Sequence, residues 1–241
     1  MRAHRLTVAA ALVGTAGTAS AGVNVEFRVL TPTPAHIGDT VDVGLYLVSD
    51  DLILARPVSA AEIVFAWDNP SLHLLGLDAA GGAPLSFQGF PAAGSNGLNE
   101  TNPPADGDGL YIAFGAFGSP VLATPAGTLL TTFQFQALQF DPRADVLLPA
   151  AAGSPPRSTI VYDGVIPNTD ITGTLTPTAV RIVSACGLAD VDANGVLNID
   201  DVNVFAQAFV AGQPLADMDA NTVYNIDDIN LFAQAFVAGC P

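Results

Sequence analysis

Between residues 22 and 183, apolar and polar positions alternate with a period of two. Val23, Val25, Phe27 and Val29 interleave with Asn24, Glu26 and Arg28; Val41, Val43, Leu45 and Leu47 interleave with Asp42, Gly44, Tyr46 and Val48. Successive side chains of a strand point to opposite faces, so such runs predict strands with one face in a core. Further strands are expected over residues 62–67, 72–77, 110–117, 128–137, 158–162 and 176–183, with proline and glycine punctuating the gaps. No long stretch of this region carries a helical stripe, and its length suffices for one well-buried domain. The pattern predicts a mainly β chain with an antiparallel jelly-roll β-sandwich over residues 22–183. After that point the period changes. Val202, Phe205, Ala206 and Phe209 stand at i, i+3, i+4 and i+7, as do Ile229, Phe232, Ala233 and Phe236. Two short amphipathic helices follow, their stripes packed on each other, with Gly212 and Gly239 as helix-ending residues and Pro214 just beyond the first.

The helices belong to a repeat. The phrase DVDANGVLNIDDVNVFAQAFVAG at 190–212 returns as DMDANTVYNIDDINLFAQAFVAG at 217–239, differing only at Val191/Met218, Gly195/Thr222, Leu197/Tyr224, Val202/Ile229 and Val204/Leu231. Counted from its first aspartate, each copy has oxygen-bearing residues at the spacing of an EF-type calcium loop, in which position 7 contributes a backbone carbonyl. The first copy supplies Asp190, Asp192, Asn194, Val196, Asn198 and Asp201; the second supplies Asp217, Asp219, Asn221, Val223, Asn225 and Asp228. An all-oxygen set suits a hard cation, whereas a softer metal takes nitrogen or sulfur. Two Ca2+ sites are therefore expected. The sharp turn at position 6 favours glycine, which the first copy has as Gly195; Thr222 in the second predicts a weaker site, since a β-branched residue at positive φ costs about 1–2 kcal/mol.

Charge and processing signals sharpen this picture. Arg2, His4 and Arg5 precede an apolar, Ala-rich run over residues 6–19, and Ala19-Ser20-Ala21 has the small-x-small form of a cleavage site, so residues 1–21 are read as a signal peptide. The run is short for a membrane anchor, and no later segment is long and apolar enough to span a bilayer. The exported chain is expected to be secreted or held at the cell surface. Formal net charge is −16; losing Arg2 and Arg5 with the leader makes it −18, which argues against nucleic acid as a partner. Of the 23 acids, Asp190, Asp192, Asp200, Asp201, Asp217, Asp219, Asp227 and Asp228 lie after Cys186, where no basic residue occurs, so the tail calls for a counterion. The two cysteines, Cys186 and Cys240, bracket the repeats. In an exported chain a disulfide between them is expected; the alternative, a thiolate metal site, has no neighbouring Cys or His to complete it.

Asp at loop position 12, a helix after but not before each loop, and two such units at the end of an exported chain resemble a type I-like dockerin over residues 184–241. The resemblance implies an all-α, calcium-folded module that docks a cohesin-type β-sandwich of another protein, in an extracellular polysaccharide-degrading or cell-surface assembly. It also implies partner choice at Ile199, Asp200, Ala206 and Gln207 and at Ile226, Asp227, Ala233 and Gln234. The repeated polar face adds Asn203 and Asn230, making two interchangeable faces. These identities depart from the Ser/Thr and Lys/Arg usage of well-known members, which leaves the partner unidentified. More weakly, IGDTVDVGLYL, EIVFAWDNPSLHLLGLD and GTLLTTFQFQAL resemble stretches of a cohesin or related cellulose-binding sandwich.

The remaining signals bear on activity. Glu26, Glu62, Asp68, Asp106 and Asp108 are acids of the sandwich region, and His36 and His73 stand apart with no HExxH or GxSxG pattern, so no enzyme is expected. Trp67, Tyr46, Tyr111 and Tyr162 are the candidates for sugar stacking. The polar stretch 91–109 reads as a recognition loop or a mobile insertion, and Asn99-Glu100-Thr101 is a glycosylation sequon. The leading expectation is a secreted, non-catalytic adaptor carrying a dockerin; the alternative is a polysaccharide-binding module carried on one.

Overall fold

The computed structural model describes residues 22–92, 94–116, 118–164 and 169–240. The expected leader, residues 1–21, and position 117 of an expected strand lie outside them. In chain order the strands are β1 (Val23–Val29), β2 (Ala35–His36), β3 (Thr40–Ser49), β4 (Arg56–Trp67), β5 (Leu72–Asp78), β6 (Leu85–Gly89), β7 (Asp108–Gly115), β8 (Val121–Ala123) and β9 (Thr128–Ala137). Then come β10 (Asp141–Leu147), β11 (Ala151–Ala152), β12 (Arg157–Ser158), β13 (Ile160–Asp163), β14 (Thr172–Thr176) and β15 (Thr178–Val183). Helices α1 (Ile199–Ala211) and α2 (Ile226–Ala238) close the chain, separated by a single 3-10 turn at Pro214–Ala216.

The chain is mainly β, a sandwich followed by two helices. One sheet runs β14-β1-β3-β9-β5; the other runs β2-β15-β10-β4-β7-β6, with β8 and β13 also paired to β4. The register follows the period-two pattern: Val25 faces Leu47, Phe27 faces Leu45 and Val29 faces Val43 across β1 and β3, while Phe133 and Phe135 of β9 face Val43 and Val41. These residues and Ile63, Phe65 and Trp67 of β4 fill the space between the sheets. The Phe133 ring lies 4.8 Å from Phe65, 5.4 Å from Phe27 and 5.7 Å from Tyr111. The buried indole of Trp67 donates to the Leu72 carbonyl at 2.9 Å, so its polar atom is satisfied.

Among the described strands, pairing is antiparallel except at two sheet edges, where β14 runs parallel to β1 and β2 parallel to β15. The stretch expected to be a mobile insertion is instead anchored. Leu98 is buried with Val64 and Leu110 on the outer face of the second sheet, and the Asn99 side chain donates to the carbonyls of Pro91 and Leu110 and accepts from the Leu110 N–H, each at 2.8 Å. Asn99 is thus buried with its amide engaged, which removes it as a sugar acceptor in the folded chain.

Candidate metal centre

Each repeat folds as an acidic loop that leads directly into a helix. Asn198 is the N-cap of α1 and Asn225 that of α2; their side-chain oxygens accept from the Asp200 and Asp227 N–H groups at 2.6 Å. The last loop carboxylate completes the box by accepting from the cap residue's own N–H: Asp201 from Asn198 and Asp228 from Asn225, both at 2.9 Å. One aspartate therefore ends the loop and starts the helix. Gly212 closes α1 in the left-handed region, and the N–H of Gln213 bonds the Ala208 carbonyl at 2.9 Å.

Three carboxylates converge in each loop. Oxygens of Asp190, Asp192 and Asp201 lie within 4.8 Å of one another, as do those of Asp217, Asp219 and Asp228. Asp190, Asp201, Asp217 and Asp228 are buried, while Asp192 and Asp219 are exposed. The chain holds this geometry with backbone N–H groups. Asp190 accepts from Asn194 (3.1 Å) and Gly195 (2.9 Å), and Asp217 from Asn221 (3.0 Å) and Thr222 (2.8 Å). Asn194 and Asn221 accept from the N–H groups of Val196 (2.8 Å) and Val223 (2.7 Å). An amide oxygen used once this way keeps a second lone pair.

Gly195 sits at φ 81° and Thr222 at φ 66°, so the second loop holds a β-branched residue in the left-handed region, as the missing glycine implied. Ala193 (φ 56°) and Ala220 (φ 59°) share that conformation; the DxDAN phrase gave no sign of it.

Buried carboxylates side by side repel unless protonated or matched by positive charge. Among the described residues, the hydrogen-bond donors to Asp190 and Asp201 are backbone N–H groups and the Ser184 hydroxyl, which donates to Asp190 at 2.6 Å. All are neutral. Desolvation, reinforced by the charges of Asp201 and Asp190 against the opposing Asn194 N–H, raises the pKa of Asp192. An all-oxygen set with uncompensated negative charge fits a hard divalent cation such as Ca2+.

No family model and no curated protein matches this sequence. The fold resembles solved cohesin modules. A cohesin module from a Clostridium perfringens family 33 glycoside hydrolase aligns at 11% identity over 68% of this chain and 99% of its own, with a TM-score of 0.47. A Clostridium thermocellum type I cohesin–dockerin complex aligns at 13% identity over 66% and 99%, TM-score 0.46. The seventh ScaB type I cohesin from Pseudobacteroides cellulosolvens aligns at 12% identity over 68% and 93%, TM-score 0.46. These likenesses concern fold alone.

The helices turn slightly differently from the expected stripes. Phe205 and Phe232 stack with ring centroids 4.2 Å apart and planes at 7°, joining the two repeats. However, Ala206, Ala233 and Ile229 are exposed, and Asp201, Phe205 and Ala208 form the buried line of α1. The inward carboxylate at the helix start fixes its rotation, moving the stripe off Ala206. All ten residues of the expected docking face are exposed: Ile199, Asp200, Asn203, Ala206 and Gln207, with Ile226, Asp227, Asn230, Ala233 and Gln234. Ile199 and Ile226 are 67% and 63% exposed at matching helix starts, a large apolar side chain beside an acid in each copy.

Cys186 and Cys240 are joined by a disulfide. Residues outside the repeats also touch the loops: Ser184, noted above, Cys186, whose sulfur lies 3.1 Å from the Gly195 carbonyl, and Arg181, whose guanidinium donates to the Asp217 carbonyl. The one available hint was an arginine inside the apolar run of β15.

Three of the four sugar-stacking candidates are not placed for that role, and the fourth, Tyr162 of β13, is half-buried. Trp67 and Tyr111 are core residues, and the Tyr46 ring lies under the Arg28 guanidinium, 4.4 Å from its centroid. Glu62 is held by Arg157 at 2.6 and 2.8 Å, and Glu26 by Arg28. No helix among the described residues is long and apolar enough to cross a membrane.

Proposed function

We propose that this chain is an exported, non-catalytic adaptor in which a sandwich over residues 22–183 carries a calcium-ordered, dockerin-type docking module over residues 184–241. The two convergent carboxylate triads, each built into a helix cap, carry this reading. Asp190, Asp192, Asn194, the Val196 carbonyl, Asn198 and Asp201 hold one Ca2+, and Asp217, Asp219, Asn221, the Val223 carbonyl, Asn225 and Asp228 hold the other. The bound ion supplies the positive charge that lets the acidic loops close. The helices are then held at the angle that presents Ile199, Asp200, Asn203, Ala206 and Gln207, or their copies, to a cohesin-type sandwich of another protein. Near-duplication allows docking in two orientations. Residues 1–21 direct export, and the assembly served is extracellular or at the cell surface, in polysaccharide degradation or a cell coat.

The test is a calcium titration of the full chain followed by calorimetry and far-UV circular dichroism, with chelator as reference. Two bound ions and a gain in helicity are expected. A chain equally helical in chelator and calcium, with no heat of binding, sinks the reading. Capture on insoluble cellulose, chitin and xylan addresses the polysaccharide-binding alternative; the burial of Trp67 and Tyr111 leads to the expectation that all three fail.

A further inference from the structure

The two acidic loops are nearly identical in sequence but not in what braces them. The last strand of the sandwich, β15, and the residue that follows it, Ser184, together reach both. Its Val180 and Ile182 point into the core, so Arg181 between them points outward, yet Arg181 is 8% exposed because the tail covers it. Its guanidinium donates to the carbonyl of Asp217, the first residue of the second loop, and lies 3.5 Å from the sulfur of Met218. Its Nε is buried without a hydrogen-bond partner among the described residues. A guanidinium held so dry is costly unless negative charge faces it, and the charges facing it are those of Asp217 and Asp228, ligand candidates of the second loop. Burial and these acids pull its pKa in opposite directions, burial prevailing and lowering it. The group facing the first loop from the same segment is the neutral Ser184 hydroxyl.

Accepting the calcium reading above, we propose that Arg181 is a resident cation of the second loop: it clasps that loop to the sandwich and weakens its hold on Ca2+ relative to the first. A divalent ion entering the first loop meets uncompensated carboxylates. One entering the second meets the same carboxylates with a positive charge already fixed behind them. Like charges at this range in a partly dry site amount to roughly a tenfold loss of affinity, on top of the strain at Thr222. The clasp also ties the tail to the sandwich through the loop that the ion orders, so filling of the second site and the fixing of the tail are coupled.

The experiment is a calorimetric Ca2+ titration of the full chain carrying Asp201→Asn, which leaves the second site to be read, with Arg181 intact, as Arg181→Met and as Arg181→Lys. Arg181→Met is expected to tighten the second site about tenfold, and Arg181→Lys, which keeps the charge, to leave it within about twofold. Unchanged or weaker binding in a folded Arg181→Met chain overturns the proposal. Should Arg181→Met fail to fold, Arg181→Gln takes its place under the same criterion. If the chain with neither substitution binds no Ca2+ at all, the calcium reading is lost; if it binds two ions and Arg181→Met leaves the affinity of the second site unchanged, only the role of Arg181 is lost.

Discussion

At the scale of single residues, the repeats act as an internal control. Gly195 and Thr222 occupy the same place in two loops that hold the same hydrogen bonds, one from each N–H to the first aspartate of its loop, and both lie at positive φ. A side chain with a branched β-carbon costs about 1–2 kcal/mol there. Thr222→Gly is therefore expected to tighten the second site about fivefold without touching a ligand, and Gly195→Thr to weaken the first by a similar factor; calorimetric titration reads both. An unchanged second site in Thr222→Gly would show that the loop does not feel the strain. A different argument applies to Asp68, at the turn between β4 and β5. Desolvation, then a hydrogen bond to Asp141 and the charges of Asp141 and Asp145, raise its pKa. A carboxyl whose folded pKa exceeds its unfolded value binds its proton more tightly in the folded state. Stability then falls as pH rises from about 4 through the folded value. Asp68→Asn is expected to raise the melting temperature at pH 7 and to converge with the parent chain near pH 4. Equal offsets at both pH values would remove charge as the cause.

At the scale of elements, the helix pair depends on one aromatic contact. Phe205 and Phe232 are both buried and stacked face to face, so each supports the other's helix. Phe205→Ala is expected to cost about 3–5 kcal/mol in the tail, seen as early loss of the helical signal at 222 nm on heating in saturating Ca2+, with the sandwich transition unmoved. A helical signal as heat-resistant as the parent's would mean the repeats stand independently. This seam was legible from the three-four spacing, and strands β1 and β3 from strict alternation. Other elements were not. Strand β10 opens on Asp141-Pro142-Arg143, which reads as a turn, and only Ala144 and Val146 point inward. Strand β14 is a Thr- and Gly-rich edge whose parallel pairing to β1 depends on residues about 150 positions earlier, a long-range contact with no local signature. In the tail, the convergence of Asp190, Asp192 and Asp201, and of their copies, was readable because a loop's periodicity is local. The bracing by Arg181 and Ser184 was not, since it depends on how the tail lies against β15.

At the scale of the whole molecule, two devices act on the same short segment. The Cys186–Cys240 bridge spans a sequence separation of 54 and ties the entry of the tail to its end. In the chain-entropy model a loop of that size is worth about 4 kcal/mol, by restricting the unfolded tail. In the proposed reading calcium acts on the other side of the equilibrium, by binding the folded loops, and would contribute about 4 kcal/mol per site when free ion exceeds its Kd about a thousandfold. The two contributions are of similar size and independent in origin, so one should substitute for the other. A chain with Cys186→Ser and Cys240→Ser is expected to lose tail helicity in chelator and to need more Ca2+ for half-recovery than the parent. At saturating Ca2+ its helicity should match the parent's, because two occupied sites outweigh the lost bridge. Circular dichroism across a calcium series measures both ends. A double variant whose tail stays unfolded at saturating ion would mean that the bridge, and not the ion, is the main source of order. One as helical as the parent in chelator would mean that the tail needs neither.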